Sequence, residues 1–184
     1  MSNVTLYLSL CKDVVDRPLS RALRDRAAAL SFGEGGFSYA DTPAAEKPRF
    51  AAPQGAFFSV SHSENVFLCA VCDAEVGVDV QVPRAESGRE ETLAARFFSE
   101  EERASLAALR GQEEKYLFEF ARIWTRHEAA AKYTGRGLSD VFARREEDVF
   151  YTDLTPLLLS LGIFAPATLV TADVPRIIPD FLED

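Results

Sequence analysis

A chain of 184 residues is long enough to bury a real core, as one domain or two small ones. Its composition, 47% hydrophobic and 27% charged, is that of a globular protein. A net charge of −9 argues against nonspecific nucleic-acid binding, because the phosphate backbone would be repelled.

Other segments exclude further classes. Leu157–Ala172 is the most apolar stretch, but Ser160, Gly162 and Pro166 break it, and it is too short for a membrane span. Met1–Lys12 lacks the basic start, apolar run and cleavage site of a secretory leader. Cys11, Cys69 and Cys72 make no disulfide framework. Cys69 and Cys72 lie three apart in an expected strand, so they point to opposite faces and cannot share a metal or a bond. They read as core thiols of a reducing cytoplasm.

Val4–Leu10 alternates as an opening strand. Pro18–Phe32 reads as a helix, with Leu19, Leu23, Ala27 and Leu30 at helical spacing. Gly33–Pro53 reads as loop. Phe57–Ser61, Val66–Cys72 and Val76–Val82 are three strands. Ser61–Asn65 is the turn joining the first two, and Asp73-Ala74-Glu75 has the length of a hairpin link between the last two. Pro83–Thr92 is a polar connector. Ser99 with Glu102 is a capping box that opens a helix to about Leu109. Gln112–Thr134 is the longest helix signal, with Leu117, Phe120, Trp124, His127 and Ala131 on one side, and Gly135 stops it. Thr168–Ala172 is a further strand. Helices beside a mostly antiparallel sheet make an α+β fold. No Gly-rich phosphate loop follows a strand, which excludes P-loop and Rossmann sites.

Asp79 stands out, because a carboxylate in a Val/Gly strand is disfavoured and costly to bury without a cation or several donors. Glu128 and Lys132 lie one helical turn apart, which alone supports no more than a surface ion pair. The chain has two histidines, His62 and His127, whose plain readings are a turn residue and a half-buried helix residue. Lys12, Arg17, Arg21, Arg24 and Arg26 form a basic cluster diluted by Asp13, Asp16 and Asp25.

Several motifs then line up in order. Lys47-Pro48 precedes the strands, Ser61-His62-Ser63 follows, and Val76-Gly77-Val78-Asp79 comes next. Phe97-Phe98-Ser99 with Glu102, Trp124 through Glu128 to Lys132, and Gly135-Arg136-Gly137-Leu138 complete the set. Together they resemble the Sfp-type 4′-phosphopantetheinyl transferases over about residues 47–138.

The resemblance implies an enzyme of the holo-acyl-carrier-protein synthase type. Such an enzyme moves 4′-phosphopantetheine from coenzyme A to a serine of an apo acyl or peptidyl carrier protein and releases 3′,5′-ADP, with Mg²⁺. It implies a pseudo-dimer of two similar α/β halves, here residues 1–73 and 74–184, in a monomer with the cofactor between them. Asp79, Glu128 and Gln81 would face Mg²⁺. Glu128 and Lys132 would be catalytic, the first toward the hydroxyl proton and the second toward the diphosphate. Lys47, Ser61, His62 and Lys132 would hold coenzyme A.

Two positions depart from the family pattern. Gln81 stands where relatives often carry Glu, which removes one negative charge and weakens the metal site. His127 replaces the Lys before Glu128. Both departures favour the alternative, a noncatalytic relative that binds coenzyme A or a carrier protein.

Overall fold

The computed structural model describes residues 1–43, 46–84, 88–138 and 149–182. Among these residues the fold is α+β, with two small sheets, a two-stranded ribbon and flanking helices.

The first sheet has the order β4-β5-β1-β9, formed by Phe57–Ser63, Val66–Cys72, Asn3–Leu10 and Arg176–Phe181. β5 is buried at every position. The alternation of its side chains divides them between two cores. Phe67, Cys69 and Val71 meet helix α1 (Arg17–Phe32), whereas Val66, Leu68, Ala70 and Cys72 meet the second sheet. The three cysteines are free and buried. α1 starts because the Asp16 carboxylate accepts the Leu19 N–H at 2.8 Å, and it buries Leu23, Ala27 and Ala28.

The loop between α1 and β4 carries a short ribbon, β2 (Ser38–Tyr39) and β3 (Phe50–Ala52). Its Tyr39 and Phe50 pack with Phe32 and Phe58 as an aromatic lid on the α1 core.

The second sheet has the order β6-β8-β7, formed by Val76–Val80, Ala167–Thr171 and Phe150–Asp153. Helix α4 (Glu113–Thr134) lies on it. Gly77 explains how closely: a Cβ there would stand 2.0 Å from the Ala129 carbonyl oxygen and 2.6 Å from the Tyr133 nitrogen. Glycine is therefore required by backbone contact between strand and helix. Buried Ala129, Ala130 and Ala131 present small side chains along the same stretch. Helices α2 (Arg89–Phe97) and α3 (Glu100–Ala107) cover the other flank of α4 through Ala94, Phe98, Leu106 and Ile123. The last helix, α5 (Thr155–Ser160), packs its Leu158 between the sheets.

Three expectations are corrected. Asp73–Glu75 is not a hairpin link: β1 and β4 already occupy both edges of β5, so β6 opens the second sheet. Ser61 and His62 lie within β4, which runs to Ser63 before a tight turn at Glu64, where φ is +51°. The polar connector gives way to α2 at Arg89. The apolar tail resolves into β7, α5, β8 and β9, of which Thr168–Ala172 had marked one strand. β9 returns to the first sheet and runs parallel to β1.

Candidate active site

The site begins with a period of two. Ser59, Ser61 and Ser63 occupy alternate positions of β4 and face the second sheet. Their hydroxyls accept the N–H groups of Val78, Val80 and Val82 at 3.0, 3.2 and 2.9 Å. β8 takes the other edge of β6. The two sheets are thus joined strand to strand, with serine side chains in place of a backbone ladder. This satisfies the buried N–H groups that an open edge would leave orphaned.

The seam sets Asp79 against the first sheet. Its side chain is 7% exposed. Oδ1 accepts the Ser61 hydroxyl at 2.6 Å and the Lys132 ammonium at 2.7 Å. That answers the cost of burying it: a strong donor and a cation share one oxygen. Lys132 reaches Asp79 because α4 rests on Gly77, two residues earlier in the strand.

Glu128, one turn before Lys132, enters the same cavity of about 260 Å³. Ser61, His62, Gln81 and Trp124 also line it. Burial, and then the charge of Asp79, push the Glu128 carboxyl above its ordinary value, against the pull of Lys132. Two carboxylates in a single cavity, the charge of one raising the proton affinity of the other, are suited to a divalent cation. Among the described residues no group of three or more His, Cys, Asp or Glu side chains forms a cage. Mg²⁺ fits such a donor set, since it takes one or two carboxylates and completes its shell with water and phosphate oxygens. The Lys132 ammonium on Asp79 shows that this position accepts a cation.

His62 is held below its ordinary pKa by partial burial, then by the charge of Lys132. An anion beside it would reverse that shift.

A larger cavity of about 530 Å³ shares Val60, Glu128 and Lys132 with the first. Its size suits a cofactor-sized ligand. α1 contributes Arg21 and Arg24 to it. These two sit within the basic cluster of the sequence, but no motif singled them out. Arg24 is fixed: its Cζ lies 3.9 Å from the Tyr39 ring centre, and Nε and Nη2 donate to Asp25 at 3.0 and 2.7 Å. The Tyr39 hydroxyl donates to the same Asp25 oxygen at 2.8 Å.

Lys47 lines this cavity as well, yet its ammonium is engaged. It donates to Glu75 at 2.6 Å, to the Val76 carbonyl at 2.8 Å and to the Tyr133 carbonyl at 3.3 Å. That last contact caps the C-terminal end of α4, where a cation is favoured. Burial lowers the pKa of Lys47, against the opposing effect of Glu75.

His127 stands outside both cavities. Its Nε2 lies 2.9 Å from Glu102 Oε1, and its ring stacks on Phe98 with centroids 5.6 Å apart. Glu102 also closes the capping box of α3, accepting the Ser99 N–H at 2.8 Å. Burial pushes the Glu102 carboxyl up, but the bonds from His127 and Ser99 outweigh it and hold the group below its ordinary value. The departure at 127 is therefore a tie between α3 and α4.

Residues 75–167 match the model of the 4′-phosphopantetheinyl transferase superfamily. Among curated relatives, the 4′-phosphopantetheinyl transferase HetI of Nostoc sp. PCC 7120 is 34% identical over 125 residues, 67% of this chain and 49% of that protein. AcpT of Salmonella typhi is 39% identical over 90 residues, 48% of this chain and 45% of that protein. The 4′-phosphopantetheinyl transferase of Bacillus subtilis is 32% identical over 106 residues, 55% of this chain and 45% of that protein. The chain thus spans about half the length of the curated relatives it matches. The matched stretch contains Asp79, Glu128 and Lys132, and the chain belongs to the 4′-phosphopantetheinyl transferase superfamily.

Proposed function

We propose that the chain transfers 4′-phosphopantetheine from coenzyme A to a serine of an apo acyl or peptidyl carrier protein, as a holo-acyl-carrier-protein synthase. The observation that carries this reading is the meeting of Asp79, Glu128 and Lys132 in one cavity that shares Glu128 and Lys132 with a larger one lined by Arg21 and Arg24. A diphosphate needs neutralised charge at one end and room for a nucleotide at the other.

Asp79 and Glu128 would hold Mg²⁺, with the Gln81 carbonyl beside them. When bound, the ion supplies charge stabilisation on the diphosphate oxygens. The carrier serine oxygen attacks the phosphorus that bears pantetheine. A new P–O bond forms, the bond to the bridging oxygen breaks, and 3′,5′-ADP leaves. Glu128 takes the hydroxyl proton, directly or through water. Lys132 leaves Asp79 for the diphosphate and stabilises charge on the departing phosphate. Arg21, Arg24 and His62 face the remaining phosphates. Lys47 offers its stem to the cavity while its ammonium holds the end of α4.

A pseudo-dimeric architecture accompanies this function. In the first part β1 leads through α1 to the β4–β5 hairpin, and in the second β6 leads through α2, α3 and α4 to β7 and β8, which α5 connects. The later strand of each pair lies beside the opening strand, giving the antiparallel orders β1-β5-β4 and β6-β8-β7. The halves divide near Asp73, with β9 returning to the first. We infer a monomer in the cytoplasm, since one chain supplies both halves. No helix among the described residues is long and apolar enough to cross a membrane.

The test combines protein, coenzyme A, Mg²⁺ and an apo carrier, with the carrier weighed by mass spectrometry. A gain of one phosphopantetheine, abolished by EDTA and by Asp79→Ala, is the expected result. Coenzyme A binding with no gain would replace this reading with that of a noncatalytic relative, which Gln81 favours.

A further inference from the structure

We propose that Ser61 is a positioning residue for Asp79, and not a ligand of the cofactor. The inference rests on the function proposed above and assigns a separate task within the same site.

The hydroxyl has one proton and it is committed. It donates to Asp79 Oδ1 at 2.6 Å and accepts the Val80 N–H at 3.2 Å. Both residues are buried, at 5% exposure each. A hydroxyl used in both directions has no proton left for a phosphate oxygen. Ser59 and Ser63 are the internal comparison. They sit on the same face of the same strand and accept the same kind of N–H, from Val78 and Val82. Among the described residues Ser61 alone of the three adds a bond to a carboxylate.

The bond also selects which oxygen is available. Ser61 and Lys132 both donate to Oδ1. Among the described residues Oδ2 receives no hydrogen bond, and the carboxylate lines the cavity it shares with Glu128 and Gln81. Ser61 belongs to the first sheet and Asp79 to the second. The seam that joins the sheets therefore also orients the carboxylate that would meet the cation. When Lys132 turns to a diphosphate, Ser61 is the contact that keeps the orientation. Groups that orient a metal ligand matter nearly as much as the ligand does.

The experiment measures Mn²⁺ affinity by EPR, in protein with coenzyme A and no carrier, so that no turnover occurs. Ser61→Ala is expected to bind Mn²⁺ about tenfold more weakly than the wild type. Ser63→Ala, which loses the equivalent N–H contact and nothing at Asp79, is expected to bind at the wild-type affinity. Should Ser61→Ala fail to fold, Ser61→Cys keeps the volume and replaces a strong donor by a weak one, and it too is expected to bind more weakly. Wild-type affinity in the Ser61 variant, or an equal loss in Ser63→Ala, would overturn the assignment. Absence of Mn²⁺ binding by the wild type would overturn the proposed function itself, and this assignment with it.

Discussion

Lys132 and Asp79 are joined at 2.7 Å although 53 residues separate them. One ammonium balances a carboxylate that the interior would not otherwise tolerate, and the same ammonium faces the cavity proposed for a diphosphate. Stability and chemistry draw on one charge pair. Lys132→Ala should lower kcat for transfer by about 10²–10³, the scale of losing one preorganised electrostatic contact. Single-turnover rates at saturating Mg²⁺ would measure it. A variant that retains its kcat would remove Lys132 from the reaction.

Gly77→Ala should cost on the order of 3 kcal/mol, the upper range of overpacking, because the added methyl meets the backbone of α4 and not a side chain that can turn aside. Urea unfolding would report the loss as a lower midpoint. An unchanged midpoint would mean that α4 does not rest on β6 as described.

His127 should act on stability more than on chemistry. His127→Ala removes the contact to Glu102 and is expected to cost about 1 kcal/mol, a typical hydrogen bond. His127→Lys restores a donor to Glu102 and should transfer phosphopantetheine at least as fast as the wild type. A His127→Lys protein that folds normally but transfers more slowly would show that the imidazole has its own part in the reaction.

Glu102 sets a pH dependence with a definite sign. Burial raises its pKa, but the bonds from His127 and Ser99 outweigh this, so the folded value lies below the unfolded one. The stability it contributes is present above the ordinary carboxylate range and is lost as pH falls through the lowered value. Glu102→Gln keeps the capping geometry and removes the charge. The stability gap between wild type and Glu102→Gln, followed by urea unfolding across pH, should be widest near neutrality and close in acid. A gap that widens on acidification would contradict the assignment.

Tyr39 and Asp25 hold Arg24 flat at the larger cavity. Tyr39→Leu should therefore raise KM for coenzyme A while leaving kcat near the wild-type value. Steady-state kinetics at varied coenzyme A separates the two. A fall in kcat at constant KM would show that the aromatic cluster serves the chemistry and not the binding.

The elements that were legible in the sequence are those whose causes are local. The Ser99–Glu102 box, the Gly135 stop and the alternation of Val4–Leu10 depend on neighbours within a few positions, and each is found in the structure. α2 was missed because it is short, is capped by Gly88 without a side-chain bond, and buries just Glu90 and Ala94. β9 was missed because half-exposed Ile178, Pro179 and Phe181 carry no burial pattern, and its place depends on β1, far away along the chain.

The site divides in the same way. Sequence by itself determined which residue types were available for the chemistry: a carboxylate in a Val/Gly strand, and a Glu and a Lys one helical turn apart. Tertiary structure decided what each side chain touches. It set the Lys47 ammonium against Glu75 and the end of α4, bound His127 to Glu102, and brought Arg24 onto Tyr39 beside the large cavity. The reason is physical. A backbone pattern follows from short-range sterics and periodicity, whereas a buried charge or hydroxyl takes whichever partner the packing of distant elements leaves within reach.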